Sequence, residues 1–278
     1  MKPNLEVTGE RVLEDDYRQS LGGYTIYAMH AASYAFAEPL CAGKRVLDLG
    51  CGSGYGTHRI AGHAAEVHGV DVAADAVAFA DARYRKSNLH FRQVAAGARL
   101  PFEDGSFDVV LSFQVIEHVE DPAGYLGEAH RVLAPGGSLV LITPDRRNRL
   151  LPMQRPWNRW HLHEYSLEEL AGFAARQFRV VRRLRMGAPW AIARVEIERY
   201  ARTKWLTLPM TLPFMPEWVR VAGLDVVHRL MGARTTRRAP EPQAGYGFGE
   251  ADFIIAEDPP NSLNLVVVAE RGPDVTPD

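Results

Sequence analysis

The sequence predicts an α/β fold: a seven-stranded, mostly parallel sheet with helices on both faces, an N-terminal helical segment and a helical insertion before the last strand. Three observations carry this. From Lys44 onward, short apolar runs alternate with helix-like stretches, the pattern of parallel strands joined by crossover helices. The first run, RVLDLG, ends in a glycine-rich turn that opens a helix. Of the 278 residues 46% are hydrophobic and 24% charged, enough to bury one sizeable core.

RVLDLG (45–50) reads as the first strand and GTHRIAGHA (56–64) as the helix after it. VHGVDV (67–72) is the second strand and AADAVAFADARYRK (73–86) the second helix. LHFRQV (89–94) and FDVVLSF (107–113) follow as strands, separated by LPFEDGS, whose Pro101 and Gly105 mark turns. Residues 122–133 carry helical periodicity and stop at Pro135-Gly136-Gly137, after which SLVLIT (138–143) is the fifth strand. SLEELAGFAARQ (166–177) opens with a capping box, Ser166 with Glu169. FRVVRRLRM (178–186) and LNLVVVAE (263–270) complete the sheet.

The chain divides into an N-terminal helical cap (1–43), a core (44–186), a helical insertion or lid (187–262) and the last core strand with its tail (263–278). YTIYAMHAASYAFAEPL in the cap is a helix positioned to close over the ligand edge of the sheet. The insertion is too long for a plain connection. It holds two helix-like stretches, WAIARVEIERYARTKWL and PEWVRVAGLDVVHRLM, then the Gly/Pro-rich APEPQAGYGFGE.

A net charge of −2 argues against a surface built to neutralise phosphates, so no nucleic-acid partner is expected. The two cysteines, Cys41 and Cys51, fit a reduced intracellular protein better than a disulfide-stapled one. No stretch reaches the roughly 18 apolar residues of a membrane span. The polar, acidic first residues lack the apolar run of a secretory signal, and a cytoplasmic location is expected.

The sharpest local signal is VLDLGCGSGYG. Gly50, Gly52 and Gly54 sit at a strand-to-helix turn, where missing side chains let a ligand approach the backbone. Asp48 precedes the glycines on the strand, so its carboxylate would meet a cation such as an amino-acid ammonium rather than a pyrophosphate. Asp71 ends the second strand 21 residues after Gly50, where an acid can accept from both hydroxyls of a ribose. Together these favour a nucleoside carrying an amino acid. The plain alternative is a tight structural turn.

VLDLGCGSGYG, the acidic end of VHGVDV, LPFEDGSFDVVLSFQVIEHVEDP and RVLAPGGSLVLITP resemble, in order and spacing, the motifs of class I, Rossmann-like methyltransferases that use S-adenosylmethionine (SAM). The likeness covers about residues 40–180 and leans towards the small-molecule group that includes ubiquinone-type enzymes. It implies that Asp48 and Gly50 contact the methionine part, that Gly52 and Gly54 line the turn and that Asp71 binds the ribose. It further implies Val72 against adenine and Gln114 beside the methionine and sulfonium. The loop after the third strand, QVAAGARLPF, departs from the family pattern. Ala95, Ala96 and Gly97 stand where the family usually has an acid for the adenine amino group.

Methyl transfer from a sulfonium is an in-line displacement, accelerated largely by proximity and alignment, with a base or metal useful for an alcohol acceptor. The candidates are Glu117 and His118 in QVIEHV and His161, His163 and Glu164 in RWHLHEYS, with His161 preferred as general base. Both segments follow strands at the carboxyl edge, where ligands bind. Glu117 and His118 equally suit a role in bracing the next loop.

Ubiquinone-biosynthesis and small-RNA 2′-O-methyltransferases resemble the chain here, with an E-x-x-E-H segment and a downstream histidine as possible ligands of a divalent cation. Gln114 replaces the first acid. The loss of that hard-cation ligand weighs the sequence towards no metal.

TGERV near the N-terminus, the downstream histidine segment and the length loosely resemble bacterial methyltransferases of surface-polysaccharide and glycolipid pathways. That likeness implies O-methylation of a sugar hydroxyl on a glycan, glycolipid or glycosylated metabolite. In the insertion, Trp205, Phe214 and Trp218 among Arg and Lys suit a lid or an interfacial helix making peripheral membrane contact. The plain alternative is a helical cap packed on the sheet or on the second subunit of a homodimer. Arg146, Arg147, Arg149 and Arg155 could meet an anionic group of the acceptor or be a solvated loop. Other readings stay open: a quinone, polyketide or other small natural product as acceptor, and a non-catalytic SAM-binding protein or SAM-fold cyclase. A nicotinamide oxidoreductase is disfavoured by Asp48.

Overall fold

The structure is a computed structural model that describes residues 20–235 and 246–272. TGERV and part of APEPQAGYGFGE lie outside the described residues. Helix α1 (Leu21–Cys41) leads into the alternation of β1 (Arg45–Leu49), α2 (Tyr55–Ile60), β2 (Glu66–Asp71), α3 (Ala74–Arg83), β3 (Leu89–Gln93) and β4 (Phe107–Phe113). A 3-10 turn (Ile116–His118), α4 (Pro122–Val132), β5 (Leu133–Pro144) and the short α5 (Arg146–Arg149) follow. After a loop come α6 (Leu167–Ala174), β6 (Arg179–Gly187), α7 (Trp190–Thr207), α8 (Glu217–Thr235), β7 (Ile254–Ala256) and β8 (Ser262–Glu270).

The sheet order is β3-β2-β1-β4-β5-β8-β6-β7. The five strands from β3 to β5 pair in parallel, and β8 inserts antiparallel between β5 and β6. The fold class is therefore the expected one, with eight strands rather than seven. The added strand, β7, pairs antiparallel with the end of β6. At three residues it is too short to show alternation in the sequence.

Alternate residues of each strand enter two apolar clusters, one on each face of the sheet. Val46, Val67, Val109, Val140 and Val266 join α1 and α7 on one face. Leu47, Val70, Val110, Leu141 and Val267 join α4 and α6 on the other. Central β8 is buried along nearly its whole length. Its apolar run is what a strand covered on both faces requires.

Three helices end earlier than the periodicity suggests, α6 among them at Ala174. α2 stops at Ile60, where Gly62 folds back to the Arg59 carbonyl. α3 stops at Arg83 because Tyr84 turns extended and stacks its ring on His58, 4.8 Å between centroids. α6 keeps its capping box: the Ser166 hydroxyl accepts from Glu169 N, and the Glu169 carboxylate accepts from Ser166 N. Among the described residues no helix is long and apolar enough to cross a membrane.

Candidate active site

At the carboxyl end of β1 the chain turns through Gly50 (φ 91°), Gly52 (φ 53°) and Gly54 (φ 81°). Two of these positions show why glycine is required. A Cβ on Gly50 would stand 2.3 Å from Val115 Cγ2, so the turn fits only because it meets the segment after β4 without a side chain. A Cβ on Gly52 would meet nothing within 4 Å, which leaves this backbone open to a ligand. Its left-handed φ is a conformation that side chains disfavour.

Asp71, at the end of β2, clamps this turn. Its Oδ2 accepts from Gly52 N and its Oδ1 from Ala73 N, each at 2.9 Å. A carboxylate oxygen has two lone pairs, so both can take a further donor. Val72, next in the chain, is 56% exposed and offers an apolar surface there.

Asp48 is buried behind the turn. Its Oδ2 accepts from Thr57 Oγ1 at 2.6 Å and from the Tyr34 hydroxyl at 3.1 Å. Tyr34 comes from α1, and it reaches Asp48 because Gly56 leaves room for its ring. Asp48 Oδ1 has no hydrogen-bond partner among the described residues. Burial pushes the carboxyl up to about 6 against the pull of Thr57 and Tyr34, with the Asp71 charge adding to the rise. A buried carboxylate with one orphaned oxygen is what an amino-acid ammonium would satisfy.

Gln114, just past β4, holds a left-handed backbone (φ 58°) fixed by its N–H to the Ile142 carbonyl at 2.8 Å. Its Nε2 is buried without a hydrogen-bond partner among the described residues. Strain and an unmet donor at one residue are features that a ligand-facing position would explain. These residues fit a SAM molecule: an anion for its ammonium, an acid for its ribose and an open glycine backbone between.

The 3-10 turn brings Glu117 and His118 beside this turn through Val115. Glu117 is buried; its Oε2 accepts from Thr143 Oγ1 at 2.8 Å, while Oε1 has no partner among the described residues. The Glu117 carbonyl accepts from Leu162 N and His163 N, which draws the second histidine segment onto the first. As a result the rings of His118 and His161 meet edge to face, 4.8 Å between centroids. One ligand atom each from Glu117, His118 and His161 lies within 4.8 Å of the others, a set that could hold a metal ion. The structure therefore brings together the two segments that the sequence placed at the same edge of the sheet.

Both histidines have their tautomers set by their neighbours. His118 Nδ1 lies 3.0 Å from the Trp160 carbonyl, and His161 Nδ1 lies 3.0 Å from Glu164 Oε1. Those oxygens accept, so both Nδ1 atoms donate, and in the neutral form of each ring Nε2 carries the lone pair. Burial alone would raise Glu164, but the Arg149 guanidinium and His161 hold its carboxyl at about 2. His163 turns away and packs its ring on Tyr165.

Three of the four arginines read as possible anion contacts are tied down. Arg149 is buried and forks onto Glu164, Arg155 pairs with Glu217, and Arg146 pairs with Glu169. Arg147 remains exposed. Sequence reasoning missed Tyr34, Thr57 and Arg149 as supports of the site. Thr57, three residues past Gly54 on the opening turn of α2, is the one whose position could have been read locally.

Residues 47–141 match the methyltransferase domain family. A probable S-adenosylmethionine-dependent methyltransferase of Mycolicibacterium smegmatis is 37% identical over 170 residues, 60% of this chain and 62% of that protein. A ubiquinone biosynthesis O-methyltransferase of Burkholderia vietnamiensis is 37% identical over 107 residues, 38% of this chain and 46% of that protein. Among solved structures, the cyclase SpnF shares the fold at a TM-score of 0.56 and 20% identity, covering 87% of this chain and 81% of that one. The chain thus spans about three-fifths of the length of the first of these curated relatives and about half of the second. The matched motifs and the strand order together make residues 47–141 part of a class I, Rossmann-like, SAM-dependent methyltransferase domain.

Proposed function

We propose that the chain O-methylates a sugar hydroxyl on a glycan, glycolipid or glycosylated metabolite. When bound, SAM supplies an electrophilic methyl group and leaves as S-adenosylhomocysteine. Asp48 holds the ammonium of its methionine part, Asp71 accepts from the ribose hydroxyls and Val72 packs on the adenine. Gln114 turns its amide towards the methionine end. The observation that carries the reading is the convergence of buried Glu117 and His161 with half-buried His118, on the segments that follow β4 and β5. His161 Nε2 takes the acceptor's hydroxyl proton as the oxygen forms its bond to the methyl carbon and the carbon–sulfur bond breaks. Glu164 keeps that imidazole oriented and favours its charged form.

The same three side chains favour a second reading of the chemistry, in which they hold a divalent cation that lowers the acceptor's pKa. Gln114 would then stand as a neutral neighbour of the ion rather than a ligand.

Support for an amphipathic acceptor comes from the insertion, where Trp205, Phe214 and Trp218 are 61%, 75% and 74% exposed. Aromatic side chains of this kind favour the boundary of a membrane. The Burkholderia relative supports a quinone or other small natural product as the competing acceptor.

Transfer of radiolabelled methyl from SAM into fractionated extract of the source cells tests the reading, with Asp71→Ala as control. Label in the glycan or glycolipid fraction that the variant loses supports sugar methylation. Label only in small apolar metabolites moves the acceptor to the quinone class. Bound SAM without turnover moves the chain to a non-catalytic role.

A further inference from the structure

We propose that Glu66, His68 and His90 form a second, independent site for a borderline divalent transition cation, with Zn2+ as its representative. The backbone builds it. His68 on β2 and His90 on β3 are direct partners in the parallel register, so their side chains leave the same face of the sheet. Glu66 stands two residues before His68 and shares that face.

The side chains converge accordingly. Glu66 Oε1 lies 3.0 Å from His68 Nε2 and 3.8 Å from His90 Nε2, and the two imidazoles are 4.9 Å apart at 31°. One ligand atom from each residue lies within 4.8 Å of the others. Zinc bonds of about 2.0–2.2 Å in tetrahedral array set ligand atoms roughly 3.3 Å apart, so small side-chain rotations close the set.

An ordinary ion pair needs one histidine and one carboxylate. Here a second imidazole is brought to the same oxygen, which gives two neutral nitrogen donors and one anionic oxygen, a set suited to zinc, nickel or copper rather than to calcium or magnesium. Phe102 and Phe107 meet the His68 ring edge-on at 5.3 and 5.6 Å and fix its plane. The side chains of His68, Glu66 and His90 are 25%, 45% and 50% exposed, so the ion has an open approach and room for water or a further ligand.

The location gives the ion a structural consequence. β3 is an edge strand of the sheet, and a shared cation ties it to β2. Asp71 lies three residues beyond His68, about 10 Å along the strand, so the tie braces the strand that carries the proposed ribose acid without touching it. The site stands whether or not the methyl acceptor is a sugar.

Titration of the chelator-stripped full-length chain with ZnCl2 by calorimetry tests this. The comparison set is wild type, His90→Ala, His90→Gln and a Glu117→Gln/His118→Ala chain that disables the other cluster. The expected result is an equivalent of zinc that survives in the Glu117/His118 variant. In both His90 variants that equivalent is lost or weakened at least about tenfold. Zinc should also raise the thermal midpoint of wild type, and that rise should shrink in the His90 variants. Because His90 is half exposed on an edge strand, circular dichroism should show both His90 variants folded. Equal zinc stoichiometry and affinity in wild type and both His90 variants would overturn the proposal.

Discussion

His161 Nδ1 lies 3.0 Å from Glu164 Oε1, with both side chains buried and Glu164 forked onto Arg149 on its other side. The Arg149 guanidinium itself packs on two rings, 4.5 Å from that of Trp157 and 4.7 Å from that of Tyr200 on α7. The insertion thereby supports the proposed base through two intervening side chains. Glu164→Gln keeps the shape but removes the anion that stabilises a charged imidazole. It should lower kcat by about 10²–10⁴-fold while leaving SAM affinity within about twofold. Single-turnover methyl transfer and equilibrium binding check the two halves of that statement, and an unchanged kcat would remove His161 from the chemistry.

Arg149→Ala makes a different error. It leaves Glu164 ionised, buried and half-partnered, so stability rather than kcat takes the first loss. About 3–5 kcal/mol is expected from breaking a buried pair on one side. Glu164→Gln breaks the same pair from the other side and leaves the buried Arg149 guanidinium without its anion, so urea denaturation should show both variants destabilised by that order.

The Asp48 carboxyl is raised from 3.8 to about 6, and if it holds the SAM ammonium as proposed, binding should be pH-dependent. The native chain holds this proton more tightly than the unfolded chain does. That stabilising contribution is complete below pH 3.8 and disappears as the pH rises through 6. At neutral pH the ionised group costs the SAM-free protein about 1–3 kcal/mol, so Asp48→Asn should raise its stability above pH 6 by that order. An ammonium ligand needs the carboxylate. Affinity for S-adenosylhomocysteine should therefore be flat above pH 7 and fall about tenfold by pH 5, with proton release on binding near pH 6. Calorimetry in buffers of different ionisation enthalpy reads both, and a flat affinity from pH 5 to 8 would separate Asp48 from the ammonium.

Gly50→Ala tests the junction of the two halves of the site. The new Cβ meets Val115 at 2.3 Å in a backbone with φ 91°. Overpacking and the disfavoured φ together should cost about 2–4 kcal/mol. Adding Val115→Ala removes the clash and leaves the backbone strain, so the double variant should recover part of the stability. Full recovery would mean that the φ requirement contributes nothing.

What the sequence makes legible of the site's geometry is what neighbours along the chain set. Asp48, the three glycines and Asp71 are fixed by one strand-turn-helix unit and the strand beside it, and the 21-residue spacing from Gly50 to Asp71 encodes their meeting. The supporting roles of Tyr34 and of Arg149, which the sequence offered only as an anion contact, were not legible because each acts through a partner outside its own element, and nothing in YTIYAMHAASYAFAEPL distinguishes the tyrosine that will face Asp48. The two histidine segments could be placed at one edge of the sheet, but the contact that joins them could not be read. Their meeting depends on Leu162 N and His163 N pairing with the Glu117 carbonyl, a backbone contact some 45 residues long in sequence. β7 carries only three residues, and its pairing with β6 depends on where the insertion returns the chain.

Trp205, Phe214 and Trp218 give the last prediction. All three are more exposed than large aromatics in a packed cap would be, and they lie at the end of α7, in the connection and at the start of α8. Arg155 ties that connection to α8 by donating to the Met215 carbonyl and pairing with Glu217, so the tip is held rather than splayed. Replacing all three by serine removes apolar surface from water-facing positions, so the fold should keep its thermal midpoint within about 2 °C. Sedimentation with vesicles of phosphatidylcholine and phosphatidylglycerol should fall several-fold in the triple variant if the tip enters a lipid boundary. Methyl transfer to a lipid-linked acceptor should fall with it, whereas transfer to a short soluble glycan should not. A triple variant that loses stability instead would show that these aromatics cover another surface of the protein, a second subunit included, and would return the insertion to the role of a packed cap.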